Sequence, residues 1–326
     1  MGQSQTSKLI ASEIQKLKKE KNAVVLAHYY EEGDIQDVAD FVGDSYYLAQ
    51  MGQKTTADII LLAGVVFMAE SVKILNPKKT VIVPSLEAGC SLVDSAPADK
   101  YLAWRKKFPR GIAVTYINSS AEVKAISDVI ITSSNAEKIV NSIPKDRPIL
   151  FGPDENLGRY LSQKLGRQFE LWPGTCEVHM LFNSKKLGEL IQKNPDARVI
   201  AHPECTPDVL QYAQVIGSTS RLLEEVKNHP AKKFIVATEP GIFHQMKKAR
   251  PDVEIIQAPQ ADGSCGCNNC PYMKQNTLEK VLRALQTVQP EITMTEQLRA
   301  KAQIPLDRMM AIANDQPVDW PSEFRP

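Results

Sequence analysis

No charge excess of either sign marks this chain: 39 lysines and arginines stand against 38 aspartates and glutamates in 326 residues. That balance argues against a nucleic-acid-binding field and against a solvating acidic tail. No run approaches the ~18 apolar residues a membrane span requires, and the opening MGQSQTSKLIASEIQKLKKEK lacks the apolar core of a signal peptide. The expectation is a cytoplasmic protein that works on small molecules. Cysteine is scarce, with six in all, which excludes a disulfide-stapled scaffold and, in a reducing compartment, turns the thiols toward metal or redox roles. Three of the six crowd into Cys265-Gly266-Cys267-Asn268-Asn269-Cys270, yet this CxCxxC has no second half. Cys90, Cys176 and Cys205 are isolated, so a zinc ribbon of two CxxC knuckles is ruled out by spacing.

What is present is a threefold repeat. AVVLAHYY (23–30), IAVTYINS (112–119) and RVIAHPEC (198–205) are short apolar runs that end in polar or aromatic residues and precede a helix-like segment. Setting His28 against Tyr116 is a shift of 88 residues, and Tyr116 against His202 one of 86. The same shifts carry Ser45 onto Ser133 and Thr219, and Ala63 onto Phe151 and Ala237. Each copy reads β, α, β, α, β, α, β, the alternation of a parallel sheet covered by helices. The fold class expected is α/β: three pseudo-threefold-related α/β/α domains, each with a small parallel sheet, around a central active site. Domain limits are placed at 1–103 with an N-terminal helix carrying Ile10, Ile14 and Leu17, at 104–190, and at 191–270. Residues 271–326 form a helical tail (276–288 and 295–313) packing back on the first domain.

Ligands in such sheets lie at the carboxyl ends of strands. His28 and Tyr30, Tyr116 and Asn118, and His202 and Glu204 therefore face a shared site. Ser45, Ser133 and Ser218-Thr219 follow the second strand of each copy, where a hydroxyl caps a helix and free backbone N–H groups hold an anion. A hydroxyl before a helix is commonly only a cap, but caps need not align with strand-end polar residues three times over. Cys90, Cys176 and the Cys265–Cys270 group follow the last strand of their copies, so a threefold axis gathers one thiol from each. Cys205 is out of register and reads as a small buried hydrophobe. Soft thiolates select iron–sulfur clusters, zinc or copper(I); three cysteines can hold a four-iron cluster with one iron free, a Lewis acid suited to dehydration.

AHYY with GDSYYLA, PSLEAGCSL, TYINSSAEVK with TSSNA, GPDENLG, WPGTCEVH, HPEC, GSTS and CPYM, spread from about residue 23 to 273, together resemble the quinolinate synthase family of bacterial NAD biosynthesis. The resemblance implies three α/β domains closing over a 4Fe-4S cluster held by Cys90, Cys176 and Cys270. It implies condensation of iminoaspartate with dihydroxyacetone phosphate to quinolinate, phosphate and water, and an L-aspartate oxidase as the transient partner that would supply the imine. Substrate contacts carried over are His28, Tyr30, Ser45, Tyr116, Asn118, Ser133, His179, His202, Glu204, Ser218 and Thr219, of which His179 comes from the resemblance alone. The chain departs from many members in having Ile130-Ile131 where they carry cysteines, and CxCxxC where they show CxxCxxC. Expected roles are anion holding for Ser45, Ser133, Thr219, His28 and Asn118, with no arginine at these positions. Glu204 is the acid/base, helped by His202, while Tyr30 and Tyr116 orient the enol. Rival readings are a cluster-dependent hydro-lyase of another substrate and a thiol or iron redox sensor.

Overall fold

The computed structural model describes residues 5–260 and 268–324. It contains three four-stranded parallel sheets. The first is built from β1 (Ala23–His28), β2 (Phe41–Gly43), β3 (Ile59–Ala63) and β4 (Thr80–Ile82). The second uses β5 (Ile112–Tyr116), β6 (Val129–Ile131), β7 (Ile149–Gly152) and β8 (Phe169–Leu171), and the third β9 (Arg198–Ala201), β10 (Val215–Ile216), β11 (Lys233–Ala237) and β12 (Glu254–Gln257). Each sheet has the same order, second–first–third–fourth. The first strand thus lies between the second and the third, so the chain turns to opposite sides of it, which opens a crevice at its carboxyl end.

The strands read as continuous apolar runs because helices cover both faces of a parallel sheet. In the first sheet Val25, Ala27, Leu61 and Ala63 pack with Ile14 and Leu17 of the helix Gln5–Glu20 and with Val281 and Leu285 of the helix Leu278–Thr287. The alternate residues Val24, Leu26, Ile60 and Leu62 face the opposite way, into the large core shared with the second sheet. The long C-terminal helix Glu296–Ala313 lies across the helices Ala121–Ala125 and Val66–Leu75 and buries Leu306, Met309 and Ile312 in that shared core.

Strand register tests the repeat. Leu26 pairs with Phe41, Val114 with Val129 and Ile200 with Val215, three pairs related by the shifts of 88 and 86. Ala27↔Ala63 and Ala201↔Ala237 match likewise. The second copy departs from the expected gapless register: Thr115 pairs with Gly152, and Phe151 with Val114. Gly152, not Phe151, is therefore the counterpart of Ala63 and Ala237, because one extra residue lies between β6 and β7. Two residues further on, Val65, Asp154 and Glu239 all occupy helix N-cap positions, as the corrected register requires.

Candidate active site

The carboxyl ends of the three sheets converge on one cavity of about 80 Å³, lined by residues from every copy. Close seams between the copies make this possible. A Cβ on Gly241 would stand 2.7 Å from the Tyr30 backbone, so glycine lets the loop after β11 touch the first copy. Gln36 stitches the same seam by donating to the carbonyls of Tyr29, Glu31 and Gly241. Ser220 donates to Asp44 at 2.8 Å, joining the third copy to the first.

His28 and His202 occupy equivalent places and are held alike. The amide of Tyr30 donates to His28 Nδ1 (3.2 Å), and the amide of Glu204 donates to His202 Nδ1 (3.4 Å). An Nδ1 used as an acceptor leaves the proton on Nε2, so each neutral ring offers one N–H donor. Both rings are buried. Burial is the main force that lowers His28 to about 3, with His202 and Lys274 adding to it; burial and His179 lower His202 to about 4. His202 Nε2 lies 3.3 Å from Ser133 Oγ.

Glu204 is also buried. Burial pushes its carboxyl upward, but the electrostatic pull of the His202 and His179 imidazoles and hydrogen bonds from His179 and Tyr116 outweigh that and hold it below the usual carboxylate range. It is an ionised base. His179 Nδ1 lies 2.9 Å from Glu204 Oε2 and 3.1 Å from Cys176 Sγ, while its Nε2 lies 3.0 Å from Thr238 Oγ1. Tyr30 and Tyr116 are held well above the ordinary phenol value by burial, then by Glu204, so both keep their hydroxyl protons. Asp154 sits behind Glu204 with Oδ1 capping the helix Glu155–Leu165 at 2.7 Å, and burial together with Glu204 pushes it far up.

Cys90, Cys176 and Cys270 all line this cavity. Cys90 and Cys176 are N-cap residues of short helices. Burial raises all three thiols, Cys90 to about 12 and Cys270 to about 11, and the three act on one another, Cys90 on Cys176 and Cys270 on Cys90. Opposing burial, backbone N–H groups of Leu92 and Val93 point at Cys90 sulfur, and those of Tyr272 and Met273 at Cys270 sulfur. Amides aimed at sulfur stabilise thiolates, which is what a metal-bound set requires. The Cys176, His179 and Glu204 ligand atoms also lie within 4.8 Å of one another. Cys205 is fully buried outside the lining, its thiol 3.4 Å from the Ala237 carbonyl. Cys265 and Cys267 lie outside the described residues.

The other expected residues divide. Ser45, Asn118, Ser133 and Thr219 line the cavity; Ser218 does not. The shared capping role fails for two copies. Asp44 caps the helix that Ser45 begins, and Ser133 stands ahead of a helix that starts only at Ala136, with Asn135 at its cap. Only Ser218 caps, accepting from the amide of Arg221. No arginine or lysine lines the cavity among the described residues, so anions there meet neutral donors. Sequence reasoning missed Glu239, Thr238 and Lys274. Glu239 is fully buried, lines the cavity, and is raised to about 7 by burial against the pull of Lys274. Lys274 donates to the Tyr30 carbonyl (2.8 Å) and pairs with Glu239 (3.2 Å), anchoring the segment that carries Cys270.

Three parallel-sheet units that enclose thiols, neutral histidines and a buried carboxylate define a small-molecule enzyme of the α/β class with a metal-competent pocket. Among the described residues no helix is long and apolar enough to cross a membrane. The family described as Quinolinate synthetase A protein matches residues 12–311. The quinolinate synthase of Nostoc punctiforme is 54% identical over 300 residues, 92% of each chain. That of Prochlorococcus marinus is 52% identical over 311 residues (95% of this chain, 93% of the relative), and that of Cyanophora paradoxa 52% over 307 (94% and 93%). The chain belongs to the quinolinate synthetase A protein family, and it is an enzyme.

Proposed function

We propose that the enzyme condenses iminoaspartate with dihydroxyacetone phosphate to give quinolinate, phosphate and water, as a step of NAD biosynthesis in the cytoplasm. The observation that carries this reading is that one thiol from each copy opens into a single cavity also lined by His28, Tyr116, His202 and Glu204. Cys90, Cys176 and Cys270 would hold a 4Fe-4S cluster: their number leaves one iron open, and the amides aimed at Cys90 and Cys270 suit bound sulfur. When bound, the cluster would supply a Lewis acid for loss of a substrate hydroxyl. A single ion on Cys176, His179 and Glu204 is the weaker alternative, because it leaves the thiols of Cys90 and Cys270 on the same cavity without a part. The domain limits follow the repeat: 1–103, 104–190 and 191–270, with 271–326 as the tail.

The protein's own groups would divide the remaining work. The Nε2–H donors of His28 and His202, with Ser45, Asn118, Ser133 and Thr219, bind the substrate carboxylates and phosphate without full positive charge. Ser218 supports this wall by capping the helix that Thr219 begins. Glu204, ionised at neutral pH, takes the proton whose removal makes the enol or enamine, and returns it to a departing oxygen. Tyr30 and Tyr116, which keep their protons, donate to the oxygen of the developing enol and fix its plane. His179 holds the Glu204 carboxylate in place. Anaerobic incubation with both substrates, followed by mass spectrometry, tests the reading: quinolinate should accumulate only when both are present. Dehydration of another hydroxy acid by cluster-loaded protein that forms no quinolinate would favour the hydro-lyase alternative. An L-aspartate oxidase would be the source of the unstable imine.

A further inference from the structure

We infer that Ser220 is a positioning residue: its hydroxyl holds the Asp44 carboxylate away from the anions that Ser45 and Thr219 bind. The inference rests on the proposed reading of that wall as the place where substrate carboxylates or phosphate lie.

The wall carries a charge that works against its task. Asp44 lines the cavity directly before Ser45, and among the described residues no lysine or arginine lines it to offset the carboxylate. The positions matched to Asp44 by the shifts of 88 and 86 are Thr132 and Ser218, both neutral. A carboxylate beside a bound anion repels it, and more strongly where water is excluded. It also competes, as an acceptor, for the same neutral donors that the substrate needs.

The geometry answers both difficulties. Asp44 Oδ1 accepts from the amide of Tyr47 at 2.9 Å and so caps the helix Ser45–Lys54. Oδ2 accepts from Ser220 Oγ at 2.8 Å. Ser220 does not line the cavity. With Tyr29, Tyr46, Tyr47 and Ser134 it lines an outer cleft of about 420 Å³, to which Asp44 also belongs. Asp44 therefore stands between the two spaces, and its bond to Ser220 draws Oδ2 to the outer side. The Tyr29 hydroxyl hydrogen-bonds Ser220 as well, so the first copy holds the serine in turn. Without the Ser220 hydroxyl, Oδ2 loses that bond and its charge is free to face the substrate. A residue of the third copy thus sets how the first copy's wall receives an anion, without touching the anion itself.

The test compares Ser220→Ala with Ser220→Thr in cluster-loaded protein, with iron content and thermal midpoint as controls. Two affinities are read: the KM for dihydroxyacetone phosphate and the dissociation constant of quinolinate. In Ser220→Ala at least one should rise by about tenfold, between the like-charge repulsion of bulk water and that near a protein surface. The kcat at saturation should stay level, the pattern of a loss in binding alone. Ser220→Thr keeps a hydroxyl and should stay near wild type. Asparagine caps a helix as well as aspartate does, so Asp44→Asn keeps the cap and removes the charge. In that background Ser220→Ala should raise neither value. Unchanged affinities in Ser220→Ala, equal losses in the alanine and threonine variants, or a loss that persists in the Asp44→Asn background would each overturn the inference. Should Ser220→Ala fail to fold, Ser220→Cys takes its place, since a thiol is a weak donor. Ser45→Ala separates the two levels: unchanged affinities there remove the anion-binding role of the wall, whereas weakened ones there beside wild-type values in Ser220→Ala reject the part of Ser220 alone.

Discussion

Lys124→Met probes how the protein holds the Asn118 wall of the cavity. Lys124 is fully buried; its ammonium donates to the carbonyl of Ile117 at 3.0 Å and to that of Ser119, the two carbonyls flanking Asn118. Burial is what lowers it to about 8, against the upward pull of Glu70 and Glu122. Holding a lysine there instead of at its ordinary value costs about 3 kcal/mol while it is charged. Two hydrogen bonds from a charged donor return about 1.5–3 kcal/mol each. Methionine gives up both terms, so at pH 7.5 the stability loss should lie between about 0 and 3 kcal/mol. Ile117 keeps a partner in the amide of Ser119 at 2.8 Å, but the Ser119 carbonyl loses its donor. Assayed where both proteins are folded, any loss of activity reports on geometry: the freed loop should raise KM by roughly tenfold, a little over 1 kcal/mol of binding. The pH dependence has a fixed sign. Between about 8 and the ordinary lysine value the unfolded chain binds the proton and the folded protein does not, so wild-type stability rises by up to about 3 kcal/mol. The variant should lack that rise. Urea unfolding at pH 7.5 and 10, with steady-state kinetics, reads both effects. Identical pH dependence in the two proteins, or an unchanged KM, would refute the reasoning.

Three further outcomes are expected. Glu204→Gln should keep the iron content and lower kcat by ~10²–10⁴; full turnover would remove Glu204 from the chemistry. His28 is held neutral, near 3, so folded protein binds fewer protons than unfolded chain below the ordinary histidine value, and stability should fall as pH drops through that range. His28→Asn should lessen that fall by about 2 kcal/mol between pH 7.5 and 5, measured by urea midpoints; equal falls in both proteins would contradict the assignment. Cys265→Ser should leave iron and sulfide unchanged, since Cys270 lines the cavity; cluster loss would transfer the third ligand position to Cys265.

Strand-end residues were legible in the sequence because the fold repeats them. A polar residue after an apolar run says little once, but His28, Tyr116 and His202 at matched offsets mark the same corner of three sheets. The reading failed where one copy departs from the others. An extra residue before β7 hid the equivalence of Asp154 and Glu239, two buried carboxyls that cap the structure after the third strand. Their counterpart in the first copy is Val65, so no recurrent polar signal was available. Lys124 and Lys274 sit at ordinary helical or loop positions in the sequence, and a buried lysine is recognised only by what surrounds it. The capping role given to Ser45 and Ser133 failed because a cap one residue away, at Asp44, or two, at Asn135, satisfies the same pattern of short polar residues.

Iron and acid-labile sulfide counted in anaerobically purified wild type and in Cys90→Ser, Cys176→Ser and Cys270→Ser decide whether the three thiols share one cluster. Wild type should hold about four of each per chain, as a four-iron cluster requires, and all three variants should lose the cluster. A wild-type chain that binds no iron under these conditions, or a complete cluster in any one of the three variants, would contradict that arrangement.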